Sequence, residues 1–273
     1  MYKMIVTDLD GTLLQDDQKI GEKDLQSLVD LGKQGYTRVI ATGRSPFSFS
    51  RVIPDDFPID YLVFSSGAGV MNWNSKEILV SHSLEEDKVK ELALLFRGMD
   101  VDFKLLAPIP DNHFYVYYQN GIAHPDFLKR MDYYRGYEEE ISFEPMNFGS
   151  ASQFLIILPN DPARYEELKK MCWGVKVVRA TSPIDHKSIW MEIFHPLVSK
   201  AEGIKFLCER LDIPSTETIA VGNDFNDLDM LSYTGKSYVV DNTPQEIKAL
   251  YPTVKSNNDA GFTDMLKKEK ILS

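Results

Sequence analysis

Short apolar runs that end in polar residues set the pattern of the first eighty positions. Residues 4–7 (Met-Ile-Val-Thr) are apolar on both faces and stop at Asp8, which suits a buried parallel strand better than a surface one. Leu25, Leu28, Val29 and Leu31 recur at helical spacing and predict a helix over 22–34, closed by Gly35. Residues 37–41 and 61–64 predict two more strands, the second ending at Ser65-Ser66-Gly67. Strand, helix and strand in succession, with polar residues at the strand ends, predict a doubly wound, Rossmann-like α/β core.

The texture changes near Leu84. A helix over 85–97 is followed by strands near 101–105 and 113–118 and a helix near 126–134. A strand at 153–158, a helix at 161–171 and strands at 175–180 and 188–194 come next. Paired strands interleaved with helices predict an α+β insert with a largely antiparallel sheet. Beyond His195-Pro196 the earlier pattern resumes, with a helix over 200–211, a strand at 218–221 and a helix opening at 227–231. The expected organisation is a core of 1–82 and 195–273, split by an inserted domain over 83–194.

The formal net charge of −11 argues against a protein that grips nucleic acid or an anionic membrane, since both need clustered Lys and Arg. It leaves room for a small anionic substrate in a locally positive pocket. The two cysteines, Cys172 and Cys208, have neither metal-binding nor CxxC spacing and suit a reducing compartment. The opening residues reach Asp8 and Asp10 too soon for a signal peptide, and apolar runs such as 154–158 are far short of a membrane span. A soluble, cytoplasmic protein is expected.

Four stations carry candidate chemistry. At Asp8-Leu9-Asp10-Gly11-Thr12-Leu13, two carboxylates follow a buried strand, where open α/β sheets bind ligands. Asp8 can attack phosphorus while Asp10 protonates the leaving oxygen and later activates water. In Ala41-Thr42-Gly43-Arg44, a hydroxyl and neighbouring backbone N–H groups are suitable donors to a phosphate oxygen, although a turn or helix cap explains the tripeptide alone equally well. Lys200 opens a helix, a slightly unfavourable place for a cation unless an anion sits beside it. In Gly222-Asn223-Asp224-Phe225-Asn226-Asp227, acidic and amide oxygens crowd after a strand, which suits a hard cation such as Mg²⁺. The plain alternative there is an Asx-rich turn in which Asp227 caps the next helix.

Together these strings resemble the haloacid dehalogenase superfamily, and within it the Cof-type phosphatases with a large C2-type cap. The resemblance covers almost the whole chain, the inserted domain being its least specific part. It implies an aspartyl-phosphate phosphatase with Asp8 as nucleophile and Asp10 as acid/base. Leu9, Thr42, Gly43, Lys200 and Asn226 would bind phosphate. Mg²⁺ would sit on Asp8, the backbone carbonyl of Asp10 and Asn223, with Asp227 in support. The family pattern has Asp directly after the glycine, whereas this chain has Asn223 there and Asp224 next, so either residue is a candidate ligand. Relatives that pump ions carry Thr in place of Asp10, so ester hydrolysis is implied instead. The expected substrates are small phosphorylated metabolites such as sugar, polyol or cofactor phosphates. A phosphomutase of the same superfamily and an inactive binder of a phosphorylated ligand are the alternatives.

Other features read as structural. The five histidines lack paired metal spacing, the aromatic stretch 114–118 suits packing, and 138–140 is an acidic surface run. Tyr133, Tyr134, Arg135 and Tyr137 are candidates for reading a leaving group. Ser66-Gly67-Ala68 stands where relatives have Asn-Gly-Ala, and it would line the site entrance or act as a hinge.

Overall fold

A computed structural model describes residues 2–121 and 123–272; Met1, Ile122 and Ser273 lie outside the described residues. The strands are β1 (Met4–Thr7), β2 (Thr37–Ala41), β3 (Tyr61–Phe64), β4 (Gly69–Asn72), β5 (Ile78–Ser81), β6 (Phe103–Leu106) and β7 (Tyr115–Tyr118). They continue as β8 (Glu138–Glu140), β9 (Gln153–Leu158), β10 (Lys176–Thr181), β11 (Ile189–Phe194), β12 (Thr218–Gly222), β13 (Lys236–Val240) and β14 (Thr253–Val254). The chain divides into two compact units, Met1–Val80 with Ser199–Ser273, and Ser81–Val198.

The first unit is built on an eight-stranded sheet in the order β14-β13-β12-β1-β2-β3-β4-β5. From β14 to β3 the pairs are parallel, and β4 turns back antiparallel on β3. Parallel strands must be covered on both faces, and the sequence meets that demand. On one face Met4, Val6, Val39, Ala41 and Val63 pack with Ile204 and Leu207 of the helix Lys200–Leu211. The helices Glu22–Lys33 and Gly261–Lys268 bury Leu28, Leu31, Phe262, Met265 and Leu266. The expected α/β core with an inserted α+β unit is therefore borne out.

Register explains why distant motifs converge. Thr7 pairs with Val221 of β12 on one side and with Ile40 of β2 on the other. Ala41 in turn pairs with Val63 of β3. The residues that follow β12, β1, β2 and β3 thus leave the sheet side by side at its carboxyl edge, the edge at which such sheets bind ligands.

The second unit has a six-stranded sheet ordered β10-β11-β9-β6-β7-β8, antiparallel except for the β7–β8 pair. One face presents Phe103, Leu105, Phe154, Ile156 and Ile193 to Val89, Leu92, Phe96 and Leu168 of the helices Glu86–Gly98 and Pro162–Met171. Alternation along β6 sends Lys104 to the opposite face. Among the described residues no helix is long and apolar enough to cross a membrane.

Candidate active site

Asp8 follows β1 directly and its N–H donates to the Val221 carbonyl at 2.9 Å, so the strand edge itself fixes its place. Ser199 caps the helix Lys200–Leu211, its hydroxyl accepting from the Glu202 N–H at 3.1 Å, and this sets Lys200 at the first helical position. The Lys200 ammonium lies 2.6 Å from Asp8 Oδ1 and 2.6 Å from Asp227 Oδ1. All three side chains are buried. The cation that looked misplaced at a helix start is thus the shared partner of two carboxylates.

Charge balance governs this triad. Burial favours the neutral amine, but the Asp227 and Asp8 carboxylates outweigh it and hold the Lys200 pKa above that of an ordinary lysine. Burial and then the Asp227 carboxylate push the Asp8 carboxyl up to about 7, against the lowering pull of Lys200. Two carboxylates with one ammonium leave a surplus of negative charge in a buried place.

Asp227 has both oxygens engaged. Oδ1 accepts from Lys200, while Oδ2 accepts the backbone N–H groups of Asn223 (2.8 Å) and Asp224 (3.0 Å). Asp224 and Asp227 form a reciprocal capping box around a 3₁₀ turn, Phe225–Asp227, ahead of the helix Leu228–Tyr233. That places Asp227 behind the loop as its brace, at the N-cap of the helix expected to open at 227–231. Within this loop Asn223 reaches the first motif, since a Cβ added to Gly11 would lie 2.5 Å from its Nδ2.

No group of three or more His, Cys, Asp or Glu with metal-holding geometry occurs among the described residues. A magnesium site of few protein ligands does not need one, because Mg²⁺ keeps several waters and accepts carbonyl and amide oxygens. The Asp8 carboxyl, which shares one ammonium with Asp227, and the side-chain amide of Asn223, whose Nδ2 lies against Gly11, carry oxygens of the hard kind that fits such a cation.

The second motif converges on the same edge. Thr42 is buried; its N–H donates to the Val63 carbonyl at 2.8 Å and its Oγ1 accepts from the Arg44 N–H at 3.1 Å. A Cβ on Gly43 would stand 3.5 Å from Ser66 Oγ and 3.8 Å from Asn226 Nδ2, so these polar groups surround one small space. Leu9 is buried beside Asp8, its carbonyl closing the turn by accepting from Thr12, Leu13 and Leu14.

The role of Arg44 escaped the sequence reading, whereas Ser66 was expected at the site entrance or a hinge. Arg44 grips Asp10 through Nε (2.9 and 3.1 Å) and Nη2 (2.6 Å), and also donates to the Ser48 carbonyl and Gln18 Oε1. Ser66 enters through backbone shape: Ser65, Ser66 and Gly67 have φ of 48°, 56° and 98°. The turn packs so closely on the helix start that a Cβ at Gly67 would lie 2.0 Å from the Ser199 carbonyl oxygen, so only glycine fits. The TGR tripeptide was the available signal for Arg44, and the serine pair after β3 for Ser66.

A family model of haloacid dehalogenase-like hydrolases matches residues 5–266. Bacillus subtilis (strain 168) has a similar protein, the candidate phosphatase YxeH, 26% identical over 271 residues and covered to 96% in both chains. Among solved structures, the phosphatase BT1666 from Bacteroides thetaiotaomicron superposes with a TM-score of 0.81 at 18% identity, covering 100% of this chain and 96% of its own. The subclass IIB sugar phosphatase BT4131 superposes with a TM-score of 0.80 at 19% identity, covering 99% and 100%.

Proposed function

The chain belongs to the haloacid dehalogenase-like hydrolase family, and we propose that it is a Mg²⁺-dependent phosphatase that hydrolyses small phosphorylated metabolites through an aspartyl-phosphate on Asp8. One observation carries this reading: a buried lysine shared at 2.6 Å between Asp8 and Asp227 at the carboxyl edge of the sheet. A purely structural ion pair needs one carboxylate, whereas a nucleophile that must meet a charged phosphoryl group needs its own charge held and balanced.

Lys200 occupies Asp8 Oδ1, which leaves Oδ2 to attack phosphorus. As the Asp8–phosphorus bond forms, the bond to the leaving oxygen breaks, and Asp10 supplies that oxygen with a proton. Water then attacks the phosphorus of the aspartyl-phosphate and gives its proton to Asp10, which releases inorganic phosphate and restores Asp8. Thr42, Gly43 and Asn226, with Leu9 on the turn and Ser66 beside them, hold the phosphoryl oxygens through the step. Arg44 engages both oxygens of Asp10, so acid–base duty requires that clamp to open. A divalent cation held by Asp8, the Asp10 carbonyl and Asn223, with Asp227 bracing the loop, would neutralise charge on the phosphoryl oxygens.

In this reading the inserted unit serves as the cap that selects the leaving group, and Tyr133, Tyr134, Arg135 and Tyr137 are candidates for that task. Sugar, polyol and cofactor phosphate monoesters are the proposed substrates, met in the cytoplasm, with neither nucleic acid nor membrane as partner. The name of the sugar phosphatase BT4131 favours the first class. The test is phosphate release from a panel of phosphorylated metabolites with and without Mg²⁺, beside Asp8→Asn. Mg²⁺-dependent release that disappears in Asp8→Asn supports the proposal. A folded, metal-loaded protein that releases phosphate from no member of the panel contradicts it.

A further inference from the structure

The second unit buries two basic side chains, Lys104 and Arg130, and neither forms an ion pair among the described residues. Lys104 on β6 has no exposed surface, and Arg130 on the helix Pro125–Tyr133 is 9% exposed. Lys104 donates to the Phe127 carbonyl at 2.8 Å, and that is its one protein hydrogen bond among the described residues. Arg130 makes neither a side-chain hydrogen bond nor an ion pair among the described residues. Its contacts are ring faces instead: its guanidinium carbon lies 4.6 Å from the Tyr134 centroid, 5.7 Å from Trp190 and 5.9 Å from Tyr115.

Glu192, buried on the same sheet face two strands from Lys104, has interactions of its own, and Asp126 and Glu138 stand nearer. Asp126, one turn before Arg130 on the same helix, accepts a short hydrogen bond from the Ser182 hydroxyl. Glu138, paired with Tyr115 across β7 and β8, turns Oε2 to the backbone N–H groups of Gly136 (2.6 Å) and Tyr137 (3.0 Å). Around Arg130 the buried donors go unmet: Arg130 Nη1, Tyr115 Oη and Trp190 Nε1 all lack a hydrogen-bond partner. Ring faces compensate a buried guanidinium only in part, and unmet buried donors are costly. Burial and the Arg130 charge together push Lys104 down to about 6, with Glu138 pulling weakly the other way. A guanidinium with three further donor groups about it, three of the four short of an acceptor, describes the complement of an anion.

We propose that the second unit holds an anion-binding site of its own, in which Arg130, Lys104, Tyr115 and Trp190 take a small dianion bearing phosphate or carboxylate groups. Trp190 and Glu138, at the border of the cluster, are partly exposed. The aromatic faces exclude water and fix the guanidinium plane, so Arg130 meets the anion as a pre-set fork. The site uses none of the residues proposed for phosphoryl transfer and stands or falls independently of that reading.

The chain has three tryptophans, so indole N–H signals of the ¹⁵N-labelled full chain resolve the site directly once Trp190→Phe has assigned one of them. The titrants are inorganic phosphate and, separately, succinate. The Trp190 signal is expected to move saturably with at least one of them, and the arm that saturates names the ligand class. Asp8→Asn should leave that titration unchanged, and Arg130→Met should raise the half-saturating concentration about tenfold or more. The Trp73 signal, from the other unit, reports that each variant is folded, and Lys104→Met is the second variant if Arg130→Met is not. No movement with either anion, a drift without saturation, loss of the response in Asp8→Asn, or an unaltered titration in a folded Arg130→Met or Lys104→Met would each overturn the proposal.

Discussion

Lys200, in the first unit, lies at 1% exposure between two carboxylates at 2.6 Å, whereas Lys104, in the second, lies at 0% against a backbone carbonyl and an arginine. Burial penalises both ammonium groups alike. The carboxylates reverse that penalty for Lys200, whose pKa stands above the ordinary lysine value. Arg130 adds to it for Lys104, which falls to about 6. A buried lysine is thus no single kind of object. Its neighbours decide whether it is a fixed charge that organises acids, as at Asp8 and Asp227, or a charge that still awaits its anion.

The comparison breaks most visibly at Lys200. Lys200→Met leaves two buried carboxylates facing each other, so the account expects a loss of activity on the order of 10³-fold. It also expects a stability loss of about 3–5 kcal/mol, the usual consequence of removing one partner from a buried pair. Steady-state rates and urea unfolding measure the two effects. Full activity in the variant would remove Lys200 from the chemistry.

Asn223 gives a smaller effect. Asn223→Asp adds a carboxylate beside Gly11, and the Mg²⁺ concentration for half-maximal activity should fall about tenfold. A metal titration of activity reads it, and an unchanged midpoint would move the ligand away from position 223.

The effect at Lys104 is on stability alone and depends on pH. Below about 6 the lysine is charged in the folded and the unfolded chain, and its burial weighs fully against folding. Between about 6 and the ordinary value of 10.5 the unfolded chain binds the extra proton, so this group makes stability rise with pH. Lys104→Met removes that slope. The variant should therefore gain on the wild type more at pH 6 than at pH 9, as compared by urea midpoints. An equal difference at both pH values would mean that Lys104 is not depressed.

Strands closed on both faces were the legible part of this chain. The runs 4–7, 37–41 and 61–64 became β1, β2 and β3 with the same bounds, because their apolar residues stand side by side, as a strand buried from both sides needs. The helix over 200–211 also kept its limits, since Ser199 caps it. The charged and polar residues of the first motif were legible as chemistry because their positions follow such strands. What stayed hidden depends on contacts far apart in sequence. Arg44 and Asp10 are 34 positions apart, and a TGR string says nothing of where its arginine points. Ser66 was expected at the site entrance, but the left-handed turn that carries it there, which glycine at 67 permits, was not legible. That Asp227 would turn one oxygen to Lys200 and the other to two backbone N–H groups of its own loop was likewise not readable from the string. Lys104, between Phe103 and Leu105, reads as the polar side of a half-exposed strand. The helix Pro125–Tyr133, whose Phe127 carbonyl holds it, covers that side instead.

The central claim is the covalent step at Asp8. The full chain is mixed with Mg²⁺ and a phosphate monoester that it turns over, quenched in acid during turnover, and mapped by peptide mass. The account predicts a phosphoryl group on the peptide that contains Asp8, present during turnover, absent before substrate is added and absent in Asp8→Asn. Steady turnover in Asp8→Asn, or a phosphoryl group carried by another residue, would contradict it.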